Sequence, residues 1–183
     1  KGFIGLSGVA NVVVANNTTK AFIANSEEDR PTTIVATETL DIVADSYLDL
    51  INIAGGAAGG GTAGVGLSTA ISTITNRTKA HIGRFTDANI ANKTTIKAHH
   101  KDDILAIAAG GAGGKTAGIA GSATVTTLNN QTLAYIDQNA QVNTDSNLGG
   151  NQNVRIKASD RTKLLGIGGG IAGGGSAGIG VGA

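Results

Sequence analysis

The sequence predicts an all-β fold built as a solenoid of stacked parallel coils, on three observations. One unit of sequence recurs along the chain, its best segments alternate apolar and polar residues with a period of two, and small and β-branched residues replace aromatic ones. In 183 residues there are 29 Gly, 28 Ala, 21 Thr and 15 Asn, with 30 Ile plus Val and 3% aromatics. A core of that composition suits thin, closely stacked layers, because β-branched side chains pack on pleated surfaces and there are few large rings to fill a globule. Scarce charge (15%) and abundant Ile and Val argue against a disordered chain. With no Cys, a disulfide scaffold, a thiolate metal site and a thiol nucleophile are excluded. A formal net charge of +1 disfavours a basic nucleic-acid binder, so no nucleic-acid partner is expected.

The repeat carries the prediction. NTTKAFI (Asn17 to Ile23), NRTKAHI (Asn76 to Ile82) and NQTLAYI (Asn130 to Ile136) align at spacings of 59 and 54. Each belongs with a small-residue tract, GGGTAGVGLSTAIST, GGKTAGIAGSATVTT or, shortened, GGGSAGIGVGA, in which Gly64, Gly118 and Gly178 share a column. Before the tracts stand LDIVA (Leu40 to Ala44), TIKA (Thr95 to Ala98) and VRIKA (Val154 to Ala158), followed by LINIAGG, ILAIAAGG and LLGIGGG. The copies are bounded at about 1–23 (partial), 24–82, 83–136 and 137–183 (partial), and the whole is one solenoid. The longer unit takes its six extra residues in NTDSNLGGNQN, whose turn formers mark a loop insertion.

Within the unit, Thr78, Ala80 and Ile82 alternate with Arg77, Lys79 and His81, the pattern of a half-buried strand. Helix is disfavoured in the Gly-rich tracts, at about 1 kcal/mol per Gly relative to Ala. Copies that cannot cover their own apolar faces stack, about 4.8 Å apart, and bring like residues into register. The expected columns are Asn17, Asn76 and Asn130 as a side-chain amide ladder, with Gly64, Gly118 and Gly178, Ala21, Ala80 and Ala134, and Ile23, Ile82 and Ile136 as structural ladders. Phe22, His81 and Tyr135 form an outward column, a candidate surface contact whose stronger rival is that the rings merely cover the β-face of their own rung. A unit of 54–60 residues is long for one coil and reads as two coils of roughly 27–30 residues, in the usual size range of stacked repeats; a single large coil, or a hairpin made from the Gly/Ala tract, is the alternative.

The tract GGKTAGIAGSATVTTLNNQTLAYI, ending in A-x-I, resembles the passenger repeats of large secreted bacterial adhesins of the leukotoxin and filamentous-adhesin type, related in architecture to filamentous haemagglutinins and autotransporters. The resemblance covers essentially the whole chain. It implies a right-handed parallel β-helix displayed outside a Gram-negative cell, attached to the outer membrane through a domain not in this sequence, and engaged with a receptor on host or bacterial cells. It carries over no catalytic residue and no cofactor. Lys1 at the start, the absence of Met and a last repeat that stops within its pattern are expected of a segment of a longer protein.

Four other motifs compete with the repeat. Ala109 to Thr116 fits a relaxed phosphate-loop pattern, with Lys115 and Thr116 in the ligand positions, but the sibling columns read Gly61-Thr62 and Gly175-Ser176 and no helix-forming stretch follows. The charge-free run Leu164 to Ala183 is long enough to span a bilayer, yet its siblings lie between polar strands. His99-His100 beside Asp102 and Asp103 suggests a metal site, but adjacent strand residues point to opposite faces, and the sibling pairs Asp45-Ser46 and Ser159-Asp160 make the place read as an exposed turn; no metal is expected. The Asn-x-Thr sites at Asn16, Asn17, Asn76, Asn92 and Asn130 read as ladder or turn residues. The sequence thus points to a non-catalytic adhesin shaft, with a membrane-acting toxin segment, a β-helix carbohydrate-active enzyme and an ice-binding solenoid as successively weaker alternatives.

Overall fold

The computed structural model describes residues 2–183. The first strand, β1 (Ile4–Ile23), is followed by a short β2 (Thr32–Ala36) and two long strands, β3 (Thr39–Gly60) and β4 (Ala63–Ile82). The same succession returns as β5 (Thr86–Ile90), β6 (Lys93–Gly114) and β7 (Ala117–Ile136), and again as β8 (Gln141–Val142), β9 (Asn153–Gly174) and β10 (Ala177–Gly182). Three parallel sheets result, ordered β1-β4-β7-β10, β2-β5-β8 and β3-β6-β9. The protein is a parallel β-solenoid of about three rungs, and among the described residues there is no α-helix, only a 3-10 turn at Ser146–Leu148.

Register runs column for column. Asn17 pairs with Asn76 and Asn76 with Asn130; Ala21, Ala80 and Ala134, and Ile23, Ile82 and Ile136, stack in the same way. The Gly64, Gly118 and Gly178 column is also present, and Gly5 extends it by one rung. One expectation is corrected. Stacked partners lie 59 and 54 residues apart, so each unit makes one large coil and not two smaller ones. The strands of 20 and 22 residues account for the length; 22 residues at about 3.3 Å each span about 70 Å.

Between β3 and β4 the chain reverses at Gly61-Thr62, as it does at Lys115-Thr116 and Gly175-Ser176. The strands joined there belong to different sheets, so they face each other across the interior and do not pair as a hairpin. Near this reversal the inner residues are Gly with some Ala and Ser. A methyl group on Gly66 would stand 2.0 Å from the carbonyl oxygen of Gly111, and one on Gly110 2.5 Å from that of Gly121. The two backbones touch, and any side chain would wedge the sheets apart.

Farther along, the sheets separate and side chains fill the gap: first Ala54, Ala70 and Ala108, then Ile42, Ala44, Ala80, Ile82, Ile96 and Ala98. At that broad end the third sheet closes the coil, adding Val142 to the cluster and the fully buried Ile90 to the interior. Each buried Ile contributes roughly 1.5–3 kcal/mol relative to exposure. The insertion in the longest unit is the loop from β8 to β9, where Asp145 Oδ1 accepts a hydrogen bond from the Asn147 amide at 2.9 Å.

Candidate functional site

Midway between the thin and broad ends the interior turns polar. Even-numbered residues of β4 face inward, which places Asn76 opposite the inward residues of β6. Asn17 Nδ2 donates to Asn76 Oδ1 at 2.9 Å, and Asn76 Nδ2 donates to Asn130 Oδ1 at 3.0 Å. That is the amide ladder, with every link made. Asp102, fully buried, accepts from Asn76 at 3.1 Å, from Asn130 at 2.5 Å and, more weakly, from Thr162 at 3.5 Å. His100 Nε2 lies 2.7 Å from Asp102 Oδ1, and His100 is 1% exposed. The expectation of an exposed turn at His99-His100 is therefore wrong. These residues lie inside β6, with His100 in the interior and His99 outside, its Nδ1 2.8 Å from Ser159 Oγ. Column-wise comparison missed this because Asp102 draws its amide donors from the facing sheet, and Asp102 in turn is the partner of His100 on the same strand.

A carboxylate fixed by donors from two sheets can orient the imidazole, because its acceptor sites are directed. Among the described residues His100 is the one basic side chain hydrogen-bonded to it. Among the described residues no group of three or more His, Asp or Glu is arranged to hold a metal ion.

On the outside of the same sheet, Phe22, His81 and Tyr135 stack as ring on ring. Centroids are 5.3 and 4.8 Å apart and the planes differ by 6° and 5°. The rings thus use their faces on each other and offer only their edges along the column. Burial between the two neighbours pushes the His81 imidazole below its ordinary value, Lys79 and Lys20 push it the same way, and Asp137 opposes them.

The outer face of β3-β6-β9 holds a second cluster. Lys101 Nζ donates to Asp103 Oδ2 at 2.6 Å and lies 4.9 Å from the Tyr47 ring centre, while Tyr47 OH donates to the same carboxylate oxygen at 3.2 Å. The Lys101 hydrogen bond holds Asp103 below the usual carboxylate range and raises Lys101; loss of hydration, then the bond to Asp103, raises Tyr47.

A polar corner beside the third sheet escaped the sequence reading. Glu28, Pro31, Phe85, Asp87, Asn139 and Gln141 line a depression of about 440 Å³, and Phe85 and Asn139 adopt left-handed φ of 54° and 58°. Its column reads Pro, Phe, Asn, so no repeated residue type signals it.

The remaining motifs are absorbed by the strands. Lys115-Thr116 occupies the reversal between β6 and β7, and a strand follows where a phosphate loop needs a helix. Leu164 to Ala183 runs through β9 and β10, and no helix of the described residues is long and apolar enough to cross a membrane. Asn76, in one of the Asn-x-Thr sites, is buried in the ladder. No protein-family model, curated protein or solved structure matches the chain.

Proposed function

We propose that the chain is a non-catalytic segment of a bacterial surface adhesin. Its work is to present the same outward columns on successive rungs to a receptor on host or bacterial cells, outside a Gram-negative cell. The observation that supports this reading most is the unbroken register from Ile4 to Ile82 and on to Ile136. Equivalent outward positions recur every rung, about 4.8 Å apart, so contacts along one column add over the rungs in reach. The stacked Phe22, His81 and Tyr135 edges, with Lys20 and Lys79 beside them in register, are the candidate contact on one face.

The test is capture. Beads coated with the chain should retain epithelial or bacterial cells, and Phe22→Ala/His81→Ala/Tyr135→Ala should reduce retention at least several-fold while circular dichroism keeps its β signal. Beads that retain no more cells than albumin-coated ones would overturn the reading. Dye release from liposomes by the free chain would replace it with the membrane-acting alternative.

A further inference from the structure

Outward residues of β3, β6 and β9 form eleven columns, from Thr39–Lys93–Asn153 to Gly59–Gly113–Gly173, ten of them from Asp41–Thr95–Arg155 onward. The face divides in two. In the half toward the Gly reversal it carries Ile51 and Ile53, Leu105 and Ile107, Leu165 and Ile167, with no charge; Ile51 and Ile53 are 63% and 58% exposed. The other half is charged, and its charge changes sign along the axis. The first rung presents Asp41, Asp45 and Asp49. The third presents Arg155, Lys157, Arg161 and Lys163, none of which has an ion-pair partner among the described residues. On the middle rung, Lys97 is engaged by Asp45 at 3.2 Å and Lys101 by Asp103 at 2.6 Å.

Such a face is complementary to itself in one orientation. Consider a two-fold axis lying along the middle strand β6, in the plane of the face. It keeps the strand direction, so apolar half meets apolar half, and it reverses the stacking direction, so the acidic rung meets the basic one. Asp41 then faces Arg155 of the second copy, Asp49 faces Lys163, and Tyr47 faces Arg161 in position for a cation–π contact. The other in-plane two-fold, along the stacking axis, sets charged half against apolar half. Of the charged residues that meet their own copies on the axis, Lys97, Lys101 and Asp103 already have ion-pair partners, and Lys93, at the strand end, has none among the described residues.

Size agrees. Eighteen residue steps of about 3.3 Å by three rungs of about 4.8 Å make about 850 Å² per partner, against about 800 Å² in a standard specific interface. Aligned packing of two sheet faces is a usual arrangement for β-structure.

We infer that the outer face of β3-β6-β9 is a homodimer interface, in which a second copy of this chain docks with its stacking direction reversed, acidic rung on basic rung. This goes beyond the adhesive reading and does not depend on it. Charge-swap complementation, read by sedimentation equilibrium, tests it. The wild-type chain should dimerise at micromolar concentration. Asp41→Arg alone and Arg155→Asp alone should each weaken dimerisation at least 10-fold, and an equimolar mixture of the two should recover a heterodimer, because each new charge meets its opposite across the two-fold. Asp49→Lys with Lys163→Asp forms an independent second pair should either first variant lose its β circular dichroism. A wild-type chain that stays monomeric at 200 µM overturns the inference, as does a dimer indifferent to both swaps or one weakened by them without recovery on mixing. Retention of a monomeric wild-type chain on a sulfated-dextran column would assign the basic rung to a polyanion instead, and so would also overturn it.

Discussion

The two ends of one coil solve the same packing problem in opposite ways. Near the Gly reversal the interior is lined by glycines and the smallest side chains, Ser68 and Ala120 among them; backbones meet directly at Gly66 and Gly110, and the large apolar residues Leu67, Ile119, Ile51 and Ile53 sit outside. At the broad end the large residues are inside, Ile42, Ile82 and Ile96 under a third sheet, and the charges are outside. The thin half is held by backbone hydrogen bonds along the axis and by close sheet contact. The broad half adds apolar burial. Between them lies the polar layer of Asn76, Asn130, His100 and Asp102, where the gap suits a side chain of intermediate length from each sheet. Each half should therefore be vulnerable to a different kind of change.

The largest effect should come from a charge forced into the broad half. Ala80 is fully buried, and Ala80→Arg is expected to cost about 4–5 kcal/mol or more in urea unfolding, since the guanidinium has no partner there. In the thin half Leu67→Arg, at a residue 52% exposed, should move the midpoint within about 0.5 kcal/mol. Equal losses at the two sites would erase the distinction.

Next is the polar layer. His100→Leu leaves Asp102 buried with no basic partner and should cost about 3–5 kcal/mol. The double change His100→Ser/Asp102→Leu copies the residues that precede them in register, Ser46 and Leu48, and should recover most of that loss. If the double variant is no better than the single one, the pair is not acting as a unit.

A smaller and more diagnostic effect separates inner from outer glycines of the thin half. Gly66→Ala should destabilise by about 1–3 kcal/mol through overpacking, because its methyl group meets the Gly111 carbonyl. Gly8 has open space where a Cβ would stand, so Gly8→Ala should be neutral or should stabilise by about 0.4–1 kcal/mol by restricting the unfolded chain. Equal melting temperatures for the two variants would show that the sheets are not in backbone contact.

The smallest effect is the pH response of the ring stack. His81 is held below its ordinary value of 6.5 by burial first, then by Lys79 and Lys20. A lowered histidine is neutral in the folded state while the unfolded chain takes up the proton. The stability it contributes is present above about pH 6.5 and is lost as pH falls from there through the folded value. Melting temperature should drop slightly between pH 7 and pH 5, and His81→Phe should flatten that interval. A drop of the same size in the variant would place the titrating group elsewhere.

Much of this was legible in the sequence, for a physical reason: parallel stacking puts equivalent residues on top of one another, so each column is also a column of the alignment. The Asn17, Gly64 and Ala21 columns and the alternation of Thr78, Ala80 and Ile82 with Arg77, Lys79 and His81 were readable on that ground. The number of coils per unit was not. A strand of 22 residues is far beyond the usual 3–10, and periodicity of two says how a strand faces, not where it ends. The burial of His100 and Asp102 was hidden for another reason. Ser, Leu, Asp and Thr at the same columns of sibling rungs look like exposure, whereas Asp102 is held by Asn76 and Asn130 from across the interior and His100 by Asp102 on its own strand. Glycine at 66 and glycine at 8 look alike in sequence, and only the facing sheet tells them apart.

The width of the coil has a consequence for growth by duplication. Copying one unit adds 54–60 residues of synthesis and raises the stack by a single strand spacing of about 4.8 Å, while widening nothing. Reach is thus gained slowly, and lateral area quickly: each added copy exposes two fresh strips some 70 Å long. A lineage selected for distance from the cell would do better with a small coil; this one enlarges a wall.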